Sequence, residues 1–291
     1  GGSVERMFQG LIDALQPARR VFWWRPGPTE PRALEPKHFP VAPAEGRRNF
    51  GDELTADLLP TQRRWRFTRS IAKAHLMGGG SILQIAAKKL PAQGPPVDVW
   101  GAGLIADDPA TIRALPKRLR FRLVRGEETR KRLGVECATG EIGLLVGRWG
   151  LDRSSRWEVG IVPNYVDQEG SVTDRLAWLS EQFSVRWIDV WENPRAVCEQ
   201  IASCERIVAS SLHGLVIADA LGIPNVWCPL SERVAGAGFK FRDYYSLFGL
   251  APPKVAPDEP LKSFQRAWDS WARPGVESIQ ERVIEAFPWR E

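Results

Sequence analysis

Cysteine, histidine and methionine are scarce in this sequence, at four, three and two copies among 291 residues, and each scarcity excludes a class of function. Cys137, Cys198, Cys204 and Cys228 form no C-x-x-C pair and have no histidine at metal spacing, so neither a zinc module nor a disulfide framework is expected. We read them as reduced, packed thiols, in keeping with a cytoplasmic protein. No apolar run approaches the roughly 20 residues that span a bilayer. None of the glycine runs continues into GK[ST], which excludes a Walker loop. The chain opens on Gly1-Gly2-Ser3 without a methionine, so what precedes it is not read from this sequence. Hydrophobic residues at 43% and charged residues at 26% describe a globular protein with enough chain for two domains. The net charge of +5 favours acidic partners, yet the two signs are interspersed except around Arg63 to Arg69 and Arg113 to Arg132. Thirteen tryptophans serve either as core and interface residues or as platforms for sugar rings.

The pattern is clearest at residues 205–228. Ile207 to Ala209 suits a buried parallel strand, Ser210 and Ser211 can cap a helix, and Leu212 to Leu221 is apolar on nearly every face. Gly222 and Pro224 end that helix, and Asn225 to Cys228 is the next strand. His213 falls in the first helical turn, among amides without an intrahelical acceptor at the positive end of the dipole, a place suited to a carboxylate or phosphate. A satisfied, semi-buried histidine is the alternative.

Along the chain, Val4 to Leu15 has the spacing of an amphipathic helix, Arg19 to Trp24 reads as a strand, and Pro26 to Pro43 is rich in proline. Arg47 to Leu59 predicts a turn, with Gly51 at the bend, entering a helix capped by Asn49 or Asp52. Ala72 to Met77 is a predicted strand closed by Gly78-Gly79-Gly80, whose amides can approach a ligand closely; Val97 to Trp100 is another, closed by Gly101-Ala102-Gly103. Leu119 to Val124 leads into Arg125 and a helix through Leu133, so Arg125 stands at a strand's carboxyl end, free for a ligand or paired with Glu127 or Glu128. Glu136 to Arg156 is read as the crossing between two halves, 1–148 and 149–291. The second half continues with a strand at Glu158 to Pro163, a helix at Val172 to Phe183, a strand at Val185 to Val190 and a helix at Pro194 to Cys204. A glycine-rich loop from Arg233 offers Lys240 and Arg242, and Leu261 to Phe287 is helical with a break at Pro274-Gly275. Alternating strands and helices predict an α/β protein with two Rossmann-like domains facing a cleft.

Taken in order, NFGDEL at 49–54, GGGSILQ at 78–84, VWGAGL at 99–104, VRGEETRKRLGV at 124–135, IVPNYVD at 161–167, SSLHGLVIADALGIPNVW at 210–227 and FKFRDYY at 239–245 resemble the polysaccharide pyruvyl transferase family. The resemblance implies a glycosyltransferase-B-like fold and transfer of the pyruvate skeleton of phosphoenolpyruvate onto two hydroxyls of one sugar, forming a cyclic ketal and releasing phosphate. No metal or other cofactor is implied. The implied acceptor is a glycan or lipid-linked oligosaccharide of a bacterial surface polysaccharide, which would place the protein in the cytoplasm or at the inner face of the membrane. Where the family commonly has arginine two positions before the histidine, this chain has Ser211, followed by Leu212, His213 and Gly214. Arg125 is therefore the candidate cation for the donor carboxylate, with Arg148 or Lys240 on the phosphate. His213 is the candidate general acid or, alternatively, a phosphate ligand; Asp52 is the candidate base, with Asn49 orienting the sugar.

Two rivals follow from the same residues. A nucleotide-sugar glycosyltransferase would need a carboxylate for a ribose, from Asp189 or Glu192. A nucleic-acid or anionic-lipid binder would use Phe22-Trp23-Trp24 and the basic segments, but no single aromatic-interleaved patch concentrates the charge, so no nucleic-acid partner is expected.

Overall fold

The computed structural model describes residues 17–27, 36–39, 48–61 and 63–289. The expected helix from Val4 to Leu15 and most of the proline-rich segment lie outside them. The first sheet holds six parallel strands: β1 Arg19–Phe22, β2 Trp65–Phe67, β3 Leu76–Met77, β4 Val97–Ala102, β5 Leu119–Val124 and β6 Ala138–Thr139, in the order β2-β1-β3-β4-β5-β6. The helices of this part are α1 Phe50–Leu58, α2 Leu83–Lys89, α3 Pro109–Ala114 and α4 Glu127–Leu133. The second sheet, also parallel, is built from β7 Trp157–Val162, β8 Val185–Trp187, β9 Cys204–Ala209 and β10 Asn225–Trp227 in the order β10-β9-β7-β8. It is accompanied by α5 Gly170–Thr173, α6 Pro194–Ala202, α7 Leu212–Ala220 and α8 Phe239–Tyr245, and the chain ends in α9 Leu261–Asp269 and α10 Val276–Glu285.

Both strand orders reverse once, between β1 and β3 in the first sheet and between β7 and β9 in the second. In open parallel sheets the crevice beyond the carboxyl ends at such a reversal is where ligands bind, because the flanking loops leave in opposite directions there. The loops at these points carry Trp23 to Arg25 and Gly78 to Gly80 on one side, and Asn164, Tyr165 and Ser210 to His213 on the other.

The sheets are linked through buried contacts. The 3-10 segment Ile142–Arg148, buried from Ile142 to Val146, packs against α1 and α7 and joins one apolar cluster containing Val21, Phe50, Val162 and Val216. Helix α10 lies against β6 and this segment: Trp100 Nε1 donates to Val283 O at 2.8 Å and Gln280 Nε2 to Leu144 O at 2.7 Å.

Several sequence expectations are corrected. The strand expected over Ala72 to Met77 is a 3-10 turn, Ile71–Lys73, followed by two strand residues. The helix expected over Val172 to Phe183 is the short α5 followed by a 3-10 stretch, Asp174–Glu181. Strand β8 stops at Trp187, because Asp189 leaves the ladder to accept from Trp191 N and Gln168 Nε2. The basic run Arg63 to Arg69 contains edge strand β2, whose Trp65 and Phe67 pack on Trp23 while Arg66 faces solvent. Phe22 and Trp23 are 6% and 1% exposed, so Phe22-Trp23-Trp24 is no open surface platform. Among the described residues no helix is long and apolar enough to cross a membrane.

Candidate active site

A cavity of about 750 Å³ opens where the two sheets' reversal points meet, lined from both sides by residues including Trp24, Asn49, Asp52, Arg125, Glu141, Ser211, His213 and Lys240. Ser211 caps α7 by accepting from Gly214 N at 3.3 Å, which fixes the first turn and carries His213 to the cavity wall. Gly214 allows the helix to rest on Val162 of β7. Asn164 N donates to Ser210 Oγ at 2.8 Å, tying the two loops of the second sheet together at the reversal point.

On the other wall, Asn49 caps α1 by accepting from Gly51 N at 3.1 Å, so Asp52 is free of the capping role the sequence left open. Gly51 is inside the helix rather than at a bend. A Cβ there would overlap the Nδ1 of His213, so glycine is what lets the imidazole of α7 and the backbone of α1 approach each other. Burial pushes the Asp52 carboxyl up to about 7 despite the opposing charges of His213 and Lys240.

Glu141, which the sequence did not single out, lies beneath the histidine. It is fully buried, with Oε1 3.5 Å from His213 Nε2 and accepting from Gly143 N at 3.2 Å. Its Oε2 is buried and has no partner among the described residues. Burial alone raises a carboxyl, but here the His213 hydrogen bond and charge, Arg125 and the Gly143 amide outweigh it and hold Glu141 below its ordinary value. The only signal in the sequence was an acid ahead of an apolar segment inside a stretch read as a domain crossing.

Arg125 is 1% exposed, not a surface residue pairing with Glu127 or Glu128, which instead pair with Arg130 and Arg132. Its Nε donates to Asp243 Oδ2 at 2.9 Å, its Nη2 to Leu104 O and its Nη1 to Ser81 Oγ, both at 2.5 Å. The fork is thus largely engaged, and Arg125 and Ser81, joined through that last bond, both line the cavity. Gly103 makes room for this guanidinium: a Cβ there would stand 2.5 Å from its Cζ, which explains the GAG run without a dinucleotide. Replacing Arg125 with lysine keeps the charge but forfeits the bonds to Asp243 and Leu104. We expect a loss of about 2–4 kcal/mol of unfolding free energy, read from urea melts, given about 1.5–3 kcal/mol for a charged hydrogen bond and less for the carbonyl bond.

Lys240 lines the cavity from the first turn of α8 rather than from a loop. Burial first, then the charge of Arg125, depresses its ammonium to about 8, with Asp52 and Asp167 pulling the other way. Arg242 is exposed and bonds back to Ala237 O, away from the cavity. Arg148 does not line the cavity either: it is exposed and held by Gln280 and Glu281 of α10. Gly80 lines the cavity, whereas Gly79 N donates to Thr55 Oγ1 and its Cα faces Ile142. Leu212 supplies part of the apolar wall. Asp189 and Glu192, the carboxylates a ribose would need, do not line it: Asp189 is buried against Gln168 and Glu192 accepts from Gln200. No group of three or more His, Cys, Asp or Glu among the described residues is placed to hold a metal ion.

The inner end therefore combines two cations, the start of a nine-residue helix, an imidazole backed by a carboxylate, and a second carboxyl that titrates near neutrality. Such a set can hold a small anion with two negative groups and move protons beside it.

Comparison with known proteins bears on the family of the chain. An uncharacterised protein, L143, of Acanthamoeba polyphaga mimivirus is 33% identical over 117 residues, 38% of this chain and 40% of that protein. The succinoglycan biosynthesis protein ExoV of Rhizobium meliloti is 26% identical over 213 residues, 69% of this chain and 62% of its own. The matched stretches thus span less than two thirds of these relatives' lengths. A solved structure of a functionally uncharacterised protein from Klebsiella pneumoniae aligns over 87% of this chain and 97% of its own, with a TM-score of 0.43 and 13% identity. The family model for polysaccharide pyruvyl transferases matches residues 43–232, which include Asn49, Asp52, Arg125, Glu141 and His213. The chain belongs to the polysaccharide pyruvyl transferase family.

Proposed function

We propose that this protein transfers the pyruvate skeleton of phosphoenolpyruvate to two hydroxyls of a sugar in a surface polysaccharide or its lipid-linked precursor, giving a cyclic ketal and free phosphate, without a metal or other cofactor. The observation that carries this reading is the convergence of His213, Asp52, Arg125 and Lys240 on one cavity within a chain of this family. In the same reading the two sheets belong to two Rossmann-like domains, 1–148 and 149–291, arranged as in glycosyltransferase-B folds, and the protein works in the cytoplasm or at the inner face of the membrane.

The donor carries a carboxylate and a phosphate on a three-carbon frame. Arg125, Ser81 and Lys240 take one anionic group, and the first-turn amides of α7 take the other. His213 delivers a proton to the methylene carbon, and the neighbouring carbon develops oxocarbenium character. The first sugar hydroxyl attacks that carbon and gives its proton to Asp52, whose carboxyl near 7 suits a base at neutral pH. The carbon–oxygen bond to phosphate then breaks, the second hydroxyl closes the ring, and its proton leaves with the phosphate.

Glu141 orients the ring and stabilises the imidazolium through Nε2, which leaves Nδ1, on the Gly51 side, as the nitrogen that delivers the proton. Replacing it with glutamine keeps the shape and removes the charge. We expect kcat to fall about 10–100-fold, the range for losing a supporting partner, with the donor KM within a few-fold of wild type; equal loss in KM would instead place Glu141 in donor binding.

The direct test is incubation with phosphoenolpyruvate and a panel of glycosides, following phosphate release and the mass of the product. Phosphate release coupled to a ketal-bearing glycoside supports the reading; a glycosyl product made only from a nucleotide sugar rejects it.

A further inference from the structure

The inner end accounts for only part of the cavity. Its outer part is lined by Trp24, Arg25, Arg69, Gln84, Lys88 and Lys89, and none of these is acidic. Arg25 is neutralised by Glu53, with Nε to Oε1 at 2.7 Å and Nη2 to Oε2 at 3.0 Å. Arg69, Lys88 and Lys89 are exposed and have no ion pair among the described residues. A lysine in the last turn of a helix complements the helix dipole, which explains a cation at the end of α2. It does not explain Arg69, which arrives from the loop after β2, nor the crowding around it. Burial and then the charges of Arg25 and Arg69 push the Arg48 guanidinium below its ordinary value, and Glu53 offsets them only in part. Like charges gathered from three separate segments around one opening are costly until an anion enters.

Two further features point to a sugar. Trp24, after β1, stacks on Tyr165, after β7, with ring centroids 5.8 Å apart and planes 22° apart. Both line the cavity, one from each sheet, and the aromatic surface they leave uncovered there is apolar and suited to pack against a pyranose. Gln84, one turn before Lys88 on α2, has a buried Oε1 without a hydrogen-bond partner among the described residues, an acceptor suited to a hydroxyl.

We propose that this outer part is an anion subsite that selects an acidic acceptor: a sugar lying against Trp24 and Tyr165 that bears a phosphoryl or carboxylate group held by Arg69, Lys88 and Lys89. This rests on the pyruvyl-transfer reading, in which phosphoenolpyruvate fills the inner end. The acceptor is therefore charged on the side away from the hydroxyl pair that receives the pyruvate carbon, and the reaction that supplies it must leave a phosphate ester or a carboxylate on that far side.

The test is isothermal titration of the full chain, with saturating phosphoenolpyruvate, by glucose 1-phosphate, glucuronate and methyl glucoside. We expect one or both acidic sugars to bind at least ten-fold more tightly than the neutral one, with the stronger of the two identifying the group read. The advantage should shrink at 0.5 M salt, where screening acts within about 4 Å. It should disappear in the Lys88→Glu/Lys89→Glu double variant and separately weaken in Arg69→Ala, while phosphoenolpyruvate affinity stays within a few-fold. Equal binding of the three sugars, no binding of either acidic sugar at millimolar concentration, or a preference that survives charge reversal would overturn the subsite. Failure of phosphoenolpyruvate itself to bind would sink the donor reading instead, and the same titrations run without it would still decide the subsite.

Discussion

His213→Ala is expected to lower kcat for phosphate release from phosphoenolpyruvate by about 10²–10⁴-fold, the contribution of a positioned general acid, in a chain that stays folded. The side chain is 13% exposed at the cavity wall and lies against Glu141 and the Gly51 backbone rather than filling the interior of a sheet layer. Losing it also leaves Glu141, one of whose oxygens has no partner among the described residues, without its imidazole, so a modest drop in melting temperature should accompany the loss of turnover. His213→Gln separates the two roles left open for this residue. Glutamine can donate a hydrogen bond to an anion but cannot supply a proton to carbon. A general acid predicts that His213→Gln is as slow as His213→Ala with donor KM near wild type. A phosphate ligand predicts that glutamine restores much of the rate and that alanine acts mainly through KM.

Asp52→Asn should cost nearly as much turnover and, in addition, change the shape of the pH profile. With the Asp52 carboxyl at about 7 and the Lys240 ammonium at about 8, kcat/KM of the wild type rises as Asp52 ionises and falls as Lys240 loses its proton, giving a narrow maximum between them. The two groups influence each other, so the limbs belong to the pair. In Asp52→Asn the rising limb should vanish and the falling limb should move down, because Lys240 loses a stabilising negative neighbour. Stability shifts with a definite sign. Asp52 binds its proton more tightly when folded than at its ordinary value of 3.8, so ionising it costs the folded state increasingly from about pH 4 up to about 7. The asparagine variant is therefore more stable than wild type at pH 8, by no more than about 4 kcal/mol at 1.36 kcal/mol per pKa unit, and the difference closes below pH 4. Urea melts at pH 4 and pH 8 check this; an unchanged difference between the two would show that burial does not tax this carboxyl.

The sequence revealed most where local pattern and tertiary role coincide. The strand-helix-strand unit around His213 was legible because Ile207 to Ala209 is continuously apolar, Ser211 is a good cap, and Gly222 and Pro224 end the helix. Strand β5 was legible for a similar reason, bounded as it is by Arg125 and the acid-led start of α4. Strand β2 was hidden because an edge strand of three residues in an arginine-rich run has too little apolar periodicity to stand out. Helix α3 was hidden by its shortness and lack of any buried residue, although Asp108 followed by Pro109 is a helix start. The site was legible as residue types and not as pairings. Nothing local to Glu141 indicates that it lies under an imidazole 72 positions later, and nothing near Arg125 indicates that Asp243 holds it. Arg148 shows the converse: an arginine in a glycine-rich stretch looks available for an anion, yet α10 folds back to engage it.

Pyruvyl transfer in this cavity requires a small, doubly anionic donor seated between Arg125, Lys240 and the start of α7. Isothermal titration of the wild-type chain and of Lys240→Ala with phosphoenolpyruvate, and with UDP as the competing ligand, tests this directly. We expect one phosphoenolpyruvate per chain for the wild type, at least ten-fold weaker binding in Lys240→Ala, and no heat from UDP. Binding of UDP with none of phosphoenolpyruvate, or phosphoenolpyruvate binding indifferent to Lys240, would contradict it.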